Sequence, residues 1–325
     1  MKRLLLSVCS ALLLPIAANC QQTINLPEAG KLSTYVNAEE KYTIEELTVT
    51  GELNGSDFAL LRDMAGNNSK GELTKGKLRK LDLAGVTVVA GGEKYLDTYE
   101  IALDLSSTFS DSRGLSFETI DNVMPQYAFV GCNSLREIIL PASCTEIGEY
   151  AFYNGLLTIV TIPSGVQKIG DRAFYGNNHL LDFTMPGTLT SIGENAFTYC
   201  IELTKIELPA GLNEIGKNAF NNCKKITDVW SYIIVPFTIT DKTFAVYDKA
   251  VLHVPEGTIE AYQSTAAWNK FQKIETFNAA TGIDLPAVES PITIYNMQGV
   301  KMQPTKTCML RSSVYISNGR KFIGR

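Results

Sequence analysis

Histidine is scarce in this chain. There are two, His179 and His253, and neither lies in an H-E-x-x-H stretch. Both fall at variable or strand positions of a repeating pattern, so each reads as a surface or edge side chain. The sequence has no G-x-S-x-G elbow and no glycine-rich loop that would cradle a phosphate. It lacks any run of lysine or arginine able to track a phosphate backbone, and its net charge is mildly acidic at −5, which sets nucleic acid aside as a partner. No apolar stretch reaches transmembrane length. Acidic residues are plentiful, yet nothing in their order singles out a pair for acid–base work. No catalytic residue, metal ligand or cofactor is expected, which puts binding ahead of catalysis.

The first twenty residues carry a short basic start (Lys2, Arg3), an apolar stretch from Leu4 to Leu14, a break at Pro15 and then small residues. This is the layout of a signal peptide, removed to leave a soluble mature protein. Cys20 has two readings. Ala18-Asn19-Cys20 before Gln21 fits ordinary cleavage after Cys20, whereas a lipid-bearing Cys20 would normally follow Gly, Ala or Ser rather than Asn19.

Phe129, Phe152, Phe174, Phe197 and Phe220 follow one another at 22 or 23 residues, each preceded by Ala (Ala128, Ala151, Ala173, Ala196, Ala219). A fixed period of this size means a solenoid. Each unit repeats an apolar ladder ending in Pro: Leu135, Ile138, Leu140, Pro141; then Leu157, Val160, Ile162, Pro163; then Leu180, Phe183, Met185, Pro186; then Leu203, Ile206, Leu208, Pro209. The last apolar pair of each ladder alternates with outward residues, the period of a short strand with one buried face, and Pro ends the strand by removing a donor. Six residues after each Pro comes Ile-Gly (Ile147-Gly148, Ile169-Gly170, Ile192-Gly193, Ile215-Gly216). Ile is expected to fill the coil, and Gly to let the chain turn sharply. One coil cannot shield its own apolar face, so neighbours must stack.

These residues closely resemble the BspA-like leucine-rich repeat family, whose core pattern is Ile-Gly-x-x-Ala-Phe-x-x-Cys. The resemblance runs from Val123 to Ile274. It implies a mainly β leucine-rich repeat solenoid with short helices and a cap at each end. It also implies an exported surface protein that adheres to macromolecules of a host, such as fibronectin or fibrinogen, or of neighbouring bacteria. A carbohydrate-binding role in nutrient capture is the second expectation, with an enzyme a distant third.

The unit after Phe220 departs from the pattern at Val229 and Trp230, with a short insertion through Pro236 before Ile239 and Phe244, and Leu252-His253-Val254-Pro255 restores it. The stretch with Ile259, Tyr262 and Ala266, then Trp268, Phe271 and Ile274, is similar to the family's C-terminal cap. Residues 21–122 read as an opening cap plus imperfect coils, with strands at Ile44–Val49 and Leu78–Leu83 and a helix around Asp57–Met64. Residues 123–276 hold the regular repeats and closing cap, 277–291 a linker, and 292–325 a small β domain. In that last segment, Ile294–Gly299 and Val314–Ile323 resemble the sorting domain recognised by the type IX secretion system, although Ser313 stands where Gly is expected. A Gram-negative bacterium, with the protein secreted or attached to its outer surface, follows from that resemblance. Any contact with membrane would run through an anchor.

Cys132, Cys200 and Cys223 occupy one slot, three residues after Phe129, Phe197 and Phe220, and Asn177 holds it after Phe174. Two readings stand for it: a small buried side chain, or a bridge between Cys200 and Cys223, since stacking at about 4.8 Å brings adjacent coils within disulfide range. No ligand spacing or activating His points to a metal or a nucleophile. The outward row on the strands, where a partner would bind, is Glu137, Ile139, Thr161, Asp182, Thr184, Lys205, Glu207, Asp228 and Trp230. Trp230 reads either as a structural plug or as an exposed anchor.

Overall fold

The computed structural model describes residues 21–97 and 117–278, together with four short tail strands at 294–295, 301–302, 314–317 and 320–323. Two compact units divide between Phe277 and Asn278. The signal-type segment 1–20, Cys20 included, and positions 279–293 lie outside the described residues.

In the first unit the strands are β1 (Gln21–Leu26), β2 (Glu46–Leu53), β3 (Lys80–Val88), β4 (Val123–Met124), β5 (Glu137–Ile139), β6 (Glu146–Ile147), β7 (Ile159–Thr161), β8 (Lys168–Ile169), β9 (Asp182–Phe183), β10 (Ser191–Ile192), β11 (Lys205–Leu208), β12 (Glu214–Ile215), β13 (Asp228–Ser231), β14 (Val251–Pro255) and β15 (Lys273–Phe277). They form three parallel sheets, in the orders β1-β2-β3-β5-β7-β9, β11-β13-β14-β15 and β4-β6-β8-β10-β12. Each regular coil thus gives one strand to the ladder face and one two-residue strand, ending on the Ile of Ile-Gly, to a second sheet. Ile138, Leu140, Val160, Ile162, Ile206 and Leu208 are all buried, as their alternation requires.

The Ala-Phe pairs line a single interior column. Successive rings from Phe129 through Phe152, Phe174, Phe197 and Phe220 to Phe244 stack nearly parallel, with centroids 5.2–5.8 Å apart. Backbone bonds tie the same places from coil to coil: Phe152 N–H donates to the Ala173 carbonyl, Phe174 to Ala196 and Phe197 to Ala219, each at 2.8 Å.

The glycines of Ile-Gly do not act as a sharp turn. Their φ values are not positive. Instead, a Cβ on Gly148, Gly170, Gly193 or Gly216 would sit 2.4–2.7 Å from a backbone nitrogen of the preceding coil. They are small because the coils touch there. The left-handed turns come later, at two positions per coil. One precedes each Ala (Tyr127, Tyr150, Arg172, Asn195, Asn218), and one follows each Phe by two residues (Gly131, Asn154, Gly176, Tyr199, Asn222). Asn and Gly tolerate this region, whereas Tyr and Arg are held in it by the surrounding coil-to-coil bonds.

The helix Gly55–Met64 forms the opening cap. Asn54 caps it, accepting from Ser56 N–H at 3.1 Å while Asp57 accepts from Asn54 N–H at 3.0 Å. Phe58 meets Phe129 edge-on at 6.2 Å and so starts the column. The first regular coil has no earlier coil to donate to its carbonyls, and side chains take that part. Tyr95 Oη–H donates to the Gln126 carbonyl at 2.7 Å, and the Arg62 guanidinium to those of Ala128 and Val130 at 2.9 and 3.4 Å. Arg62 is fully buried, and no carboxylate among the described residues pairs with it. Its charge is met by carbonyl dipoles. At the far end Trp268 and Phe271 cover Phe244, with Trp268 Nε1–H donating to the Phe237 carbonyl at 2.8 Å. The cap helix spans Ile259–Ser264 and buries Tyr262. Of the alanines that follow, Ala266 is exposed and Ala267 is buried at a left-handed turn.

The tail unit is an antiparallel sheet in the order 301–302, 294–295, 314–317, 320–323. The residues between these strands lie outside the described residues.

Candidate binding face

The ladder face is built by the outward positions of β5, β7, β9, β11, β13, β14 and β15. Glu137 and Ile139 are half-buried, Thr161, Thr184, Lys205 and Glu207 are exposed, and Asp228 and Trp230 are half-buried. Asp182 pairs in register with Ile159, and its side chain lies outside the described residues. Exposed Ile159, between Glu137 and Asp182 in register, belongs to the same face and was not among the expected residues.

Parallel pairing without a slip brings Glu207, Trp230, His253 and Glu275 into one cross-strand row, beside Lys205, Asp228, Val251 and Lys273. His253 lies face to face with Trp230, centroids 4.0 Å apart and planes 12° from parallel, and its Nε2 is 2.8 Å from Asp228 Oδ1. Lys205 Nζ, on the other neighbouring strand, approaches to 5.3 Å of the Trp230 centroid, a cation–π distance. Phe277 packs on Trp230 at 5.2 Å and on Tyr232 at 5.1 Å. Lys205 pairs with Glu207, and Lys273 with Glu275 at 2.8 Å. Burial by itself would raise the pKa of Asp228, but hydrogen bonds with His253 and Thr227 outweigh it and hold the carboxyl below its ordinary value. Trp230 is thus half-buried within a cluster of His253, Lys205 and Phe277. His253, read from sequence as an edge side chain, is the partner that orders it, and the signal was its register with Trp230 one coil later. The insertion after β13 adds exposed Ile234 and Val235.

Among the described residues the ladder of the first unit is interrupted between β9 and β11. Thr158 N–H donates to the Arg136 carbonyl, Leu181 to Thr158, Thr227 to Thr204 and Val251 to Thr227, at 2.7–3.0 Å. Among the described residues no such bond joins Thr204 to Leu181, and β9 and β11 are each the edge of a separate sheet. The turn side stays closed at that level, with Phe174 N–H on the Ala196 carbonyl and Gly193 N–H on the Ile169 carbonyl, both 2.8 Å. At the inward place where other coils carry Ile138, Val160, Ile206, Val229 or Leu252, this coil has Phe183, whose ring stacks on Phe197 at 4.7 Å. The larger ring wedges the strands apart. A hollow results, lined by Phe183, Thr184, Met185, Lys205 and Glu207.

The cysteine slot resolves in favour of the small buried side chain. Cys132, Cys144, Cys200 and Cys223 are free. Cys200 S–H donates to the Phe174 carbonyl at 3.3 Å and Cys223 S–H to that of Phe197 at 3.0 Å, while Asn177 Nδ2–H gives the same bond to Phe152 at 2.8 Å. Asn177, Cys200 and Cys223 thus each aim a small donor at the previous coil, whereas Gly155 holds the slot after Phe152 without one. Burial pushes the Cys132 thiol up to about 11 and the Cys223 thiol up to about 12, the direction of an unreactive sulfur. Among the described residues no cluster of His, Cys, Asp and Glu could hold a metal ion, and no helix is long and apolar enough to cross a membrane.

Residues 106–245 match, in six copies, the family described as BspA type Leucine rich repeat region. No curated protein matches the chain. Among solved structures it is similar to the T. pallidum Leucine Rich Repeat protein, at 25% identity and TM-score 0.34 over 47% of this chain and 62% of that one. A leucine-rich repeat protein from Bacteroides ovatus shares 26% identity, with TM-score 0.34 over 53% of this chain and 44% of that one. A leucine rich cell surface protein from Faecalibacterium prausnitzii shares 17%, with TM-score 0.28 over 80% and 84%. The chain thus spans 62% and 44% of the first two proteins. The repeat match and the parallel sheets together show a β-rich leucine-rich repeat fold.

Proposed function

We propose that this chain is an exported, surface-displayed binding module that holds a macromolecular ligand on its ladder face, between β9 and β15. The observation that carries this reading is the row Glu207, Trp230, His253, Glu275. Its side chains are already ordered by one another on a rigid sheet, so a partner loses little freedom in engaging them, and a half-buried Trp amid charges is the composition of an interface hot spot. Ile234 and Val235, in the insertion after β13, are also exposed.

A protein ligand fits this surface better than a glycan. Sugars stack on an open aromatic face, and both neighbours of Trp230 occupy its ring, His253 on one strand and Lys205 on the other. Export rests on the leader and on the tail that resembles a sorting domain. The same reading places the protein on the outer surface of a Gram-negative cell, with Cys20 as either the last residue of the leader or an anchor. Screening the full chain against host matrix proteins, bacterial surface proteins and glycans, with Trp230→Ala alongside, tests the face. At least a ten-fold loss of affinity for a protein ligand is expected, and a variant that binds every detected ligand as tightly as the parent defeats the assignment.

A further inference from the structure

The gap between β9 and β11 lies directly beside Trp230, because Lys205 and Glu207 form one wall of the hollow while also flanking that ring. Both lips are strand edges. β9 is paired only with β7 and β11 only with β13, so each presents backbone donors and acceptors toward the opening. The floor, Phe183 and Met185, is apolar. The row that begins at its wall carries three carboxylates, Glu207, Asp228 and Glu275, against two lysines, Lys205 and Lys273.

We infer that this gap is a receptor slot for an extended, basic segment of a partner protein, which seats one apolar side chain on Phe183 and Met185, bonds its backbone to the free strand edges and sets an adjacent lysine or arginine against the acidic row. Three features select a polypeptide: backbone edges that match amides, a floor that takes one apolar side chain, and an acidic margin that favours a cation. The inference rests on the binding-face reading and narrows it to a ligand chemistry.

The wedge supplies a clean variant. Phe183→Val restores the size found at Val160 in the preceding coil, so the strands should close, the chain should melt no lower than the parent, and the Thr204 amide should become slow to exchange. The probe is a fluorescein-labelled nonapeptide alternating Leu and Lys, with Leu–Glu and Ser–Lys peptides as controls, titrated against the full chain. The Leu–Lys peptide should bind saturably, each control at least ten-fold more weakly, and Phe183→Val should lose at least ten-fold for the Leu–Lys peptide. No saturable binding, equal binding of the controls, or an unchanged affinity in a Phe183→Val chain whose Thr204 amide has become protected would each overturn the slot. Trp230→Ala separates the two levels: if it weakens a macromolecular ligand while Phe183→Val has no effect on the peptide, the slot falls and the face stands. If neither substitution matters, both fall.

Discussion

Along the turn side of the coils, the same small set of residues recurs with the same contacts: Ala then Phe, a left-handed residue on each side, and, at Asn177, Cys200 and Cys223, a donor in the next slot aimed at the previous Phe carbonyl. Along the ladder side the inward positions hold to one apolar type but the outward ones vary freely, and a single enlarged residue, Phe183, opens the sheet without disturbing the turns behind it. The solenoid is therefore secured from one edge. That leaves the other edge free to change its surface, which is how one scaffold can carry different binding faces.

The largest effect should come from the column. Phe197→Ala removes a fully buried ring with a stacked neighbour in each adjacent coil and should cost about 3–5 kcal/mol, read by chemical denaturation. An outward ladder substitution such as Thr161→Ala should fall within about 0.5 kcal/mol. Comparable costs at the two sites would break the contrast. Next is Gly193→Ala, whose Cβ would lie 2.5 Å from the Asp171 nitrogen. About 1–3 kcal/mol of destabilisation is expected from the enforced separation of coils, whereas a turn role alone would predict nearly nothing at this φ.

The smallest effect concerns pH. A carboxyl whose folded value is depressed adds stability above its unfolded value, near ~3.9 for Asp, and loses it as pH falls through the folded value. Asp228 is such a group. The melting temperature of the parent should exceed that of Asp228→Asn by a small, constant margin at pH 5–7, and the margin should close in acid below the unfolded value. Because the group is only half-buried, solvent screening keeps the difference small. A margin that grows in acid would reverse the assigned sign.

Much of the scaffold was legible in the sequence because a solenoid repeats its own evidence: five Ala-Phe pairs at one period can only meet in a column, and each Leu-x-x-Ile-x-Leu-Pro ladder declares a strand. The outward row could be placed by alternation alone. The role of glycine was misread because small size serves both turning and close approach, and only the φ values with the neighbouring coil distinguish them. The left-handed positions were hidden by Tyr127, Tyr150, Arg172 and Tyr199, residue types that give no such hint, although Asn154, Asn195, Asn218 and Asn222 at the same places did. Side-chain capping by Arg62 and Tyr95 joins residues 31 to 68 positions apart from their targets only through the fold, so no local pattern could announce it. The split at Phe183 was visible as an outsized residue in a column of Ile, Val and Leu, but its consequence depends on how far the turns behind it yield.

The most direct test of a structure closed along the turns and open at one ladder level is amide hydrogen exchange resolved by residue. Phe174 and Phe197 should be among the slowest amides, Leu181 and Thr227 should also be protected, and Thr204 should exchange orders of magnitude faster than either. A Thr204 amide as slow as that of Thr227 would show an unbroken ladder and contradict the account.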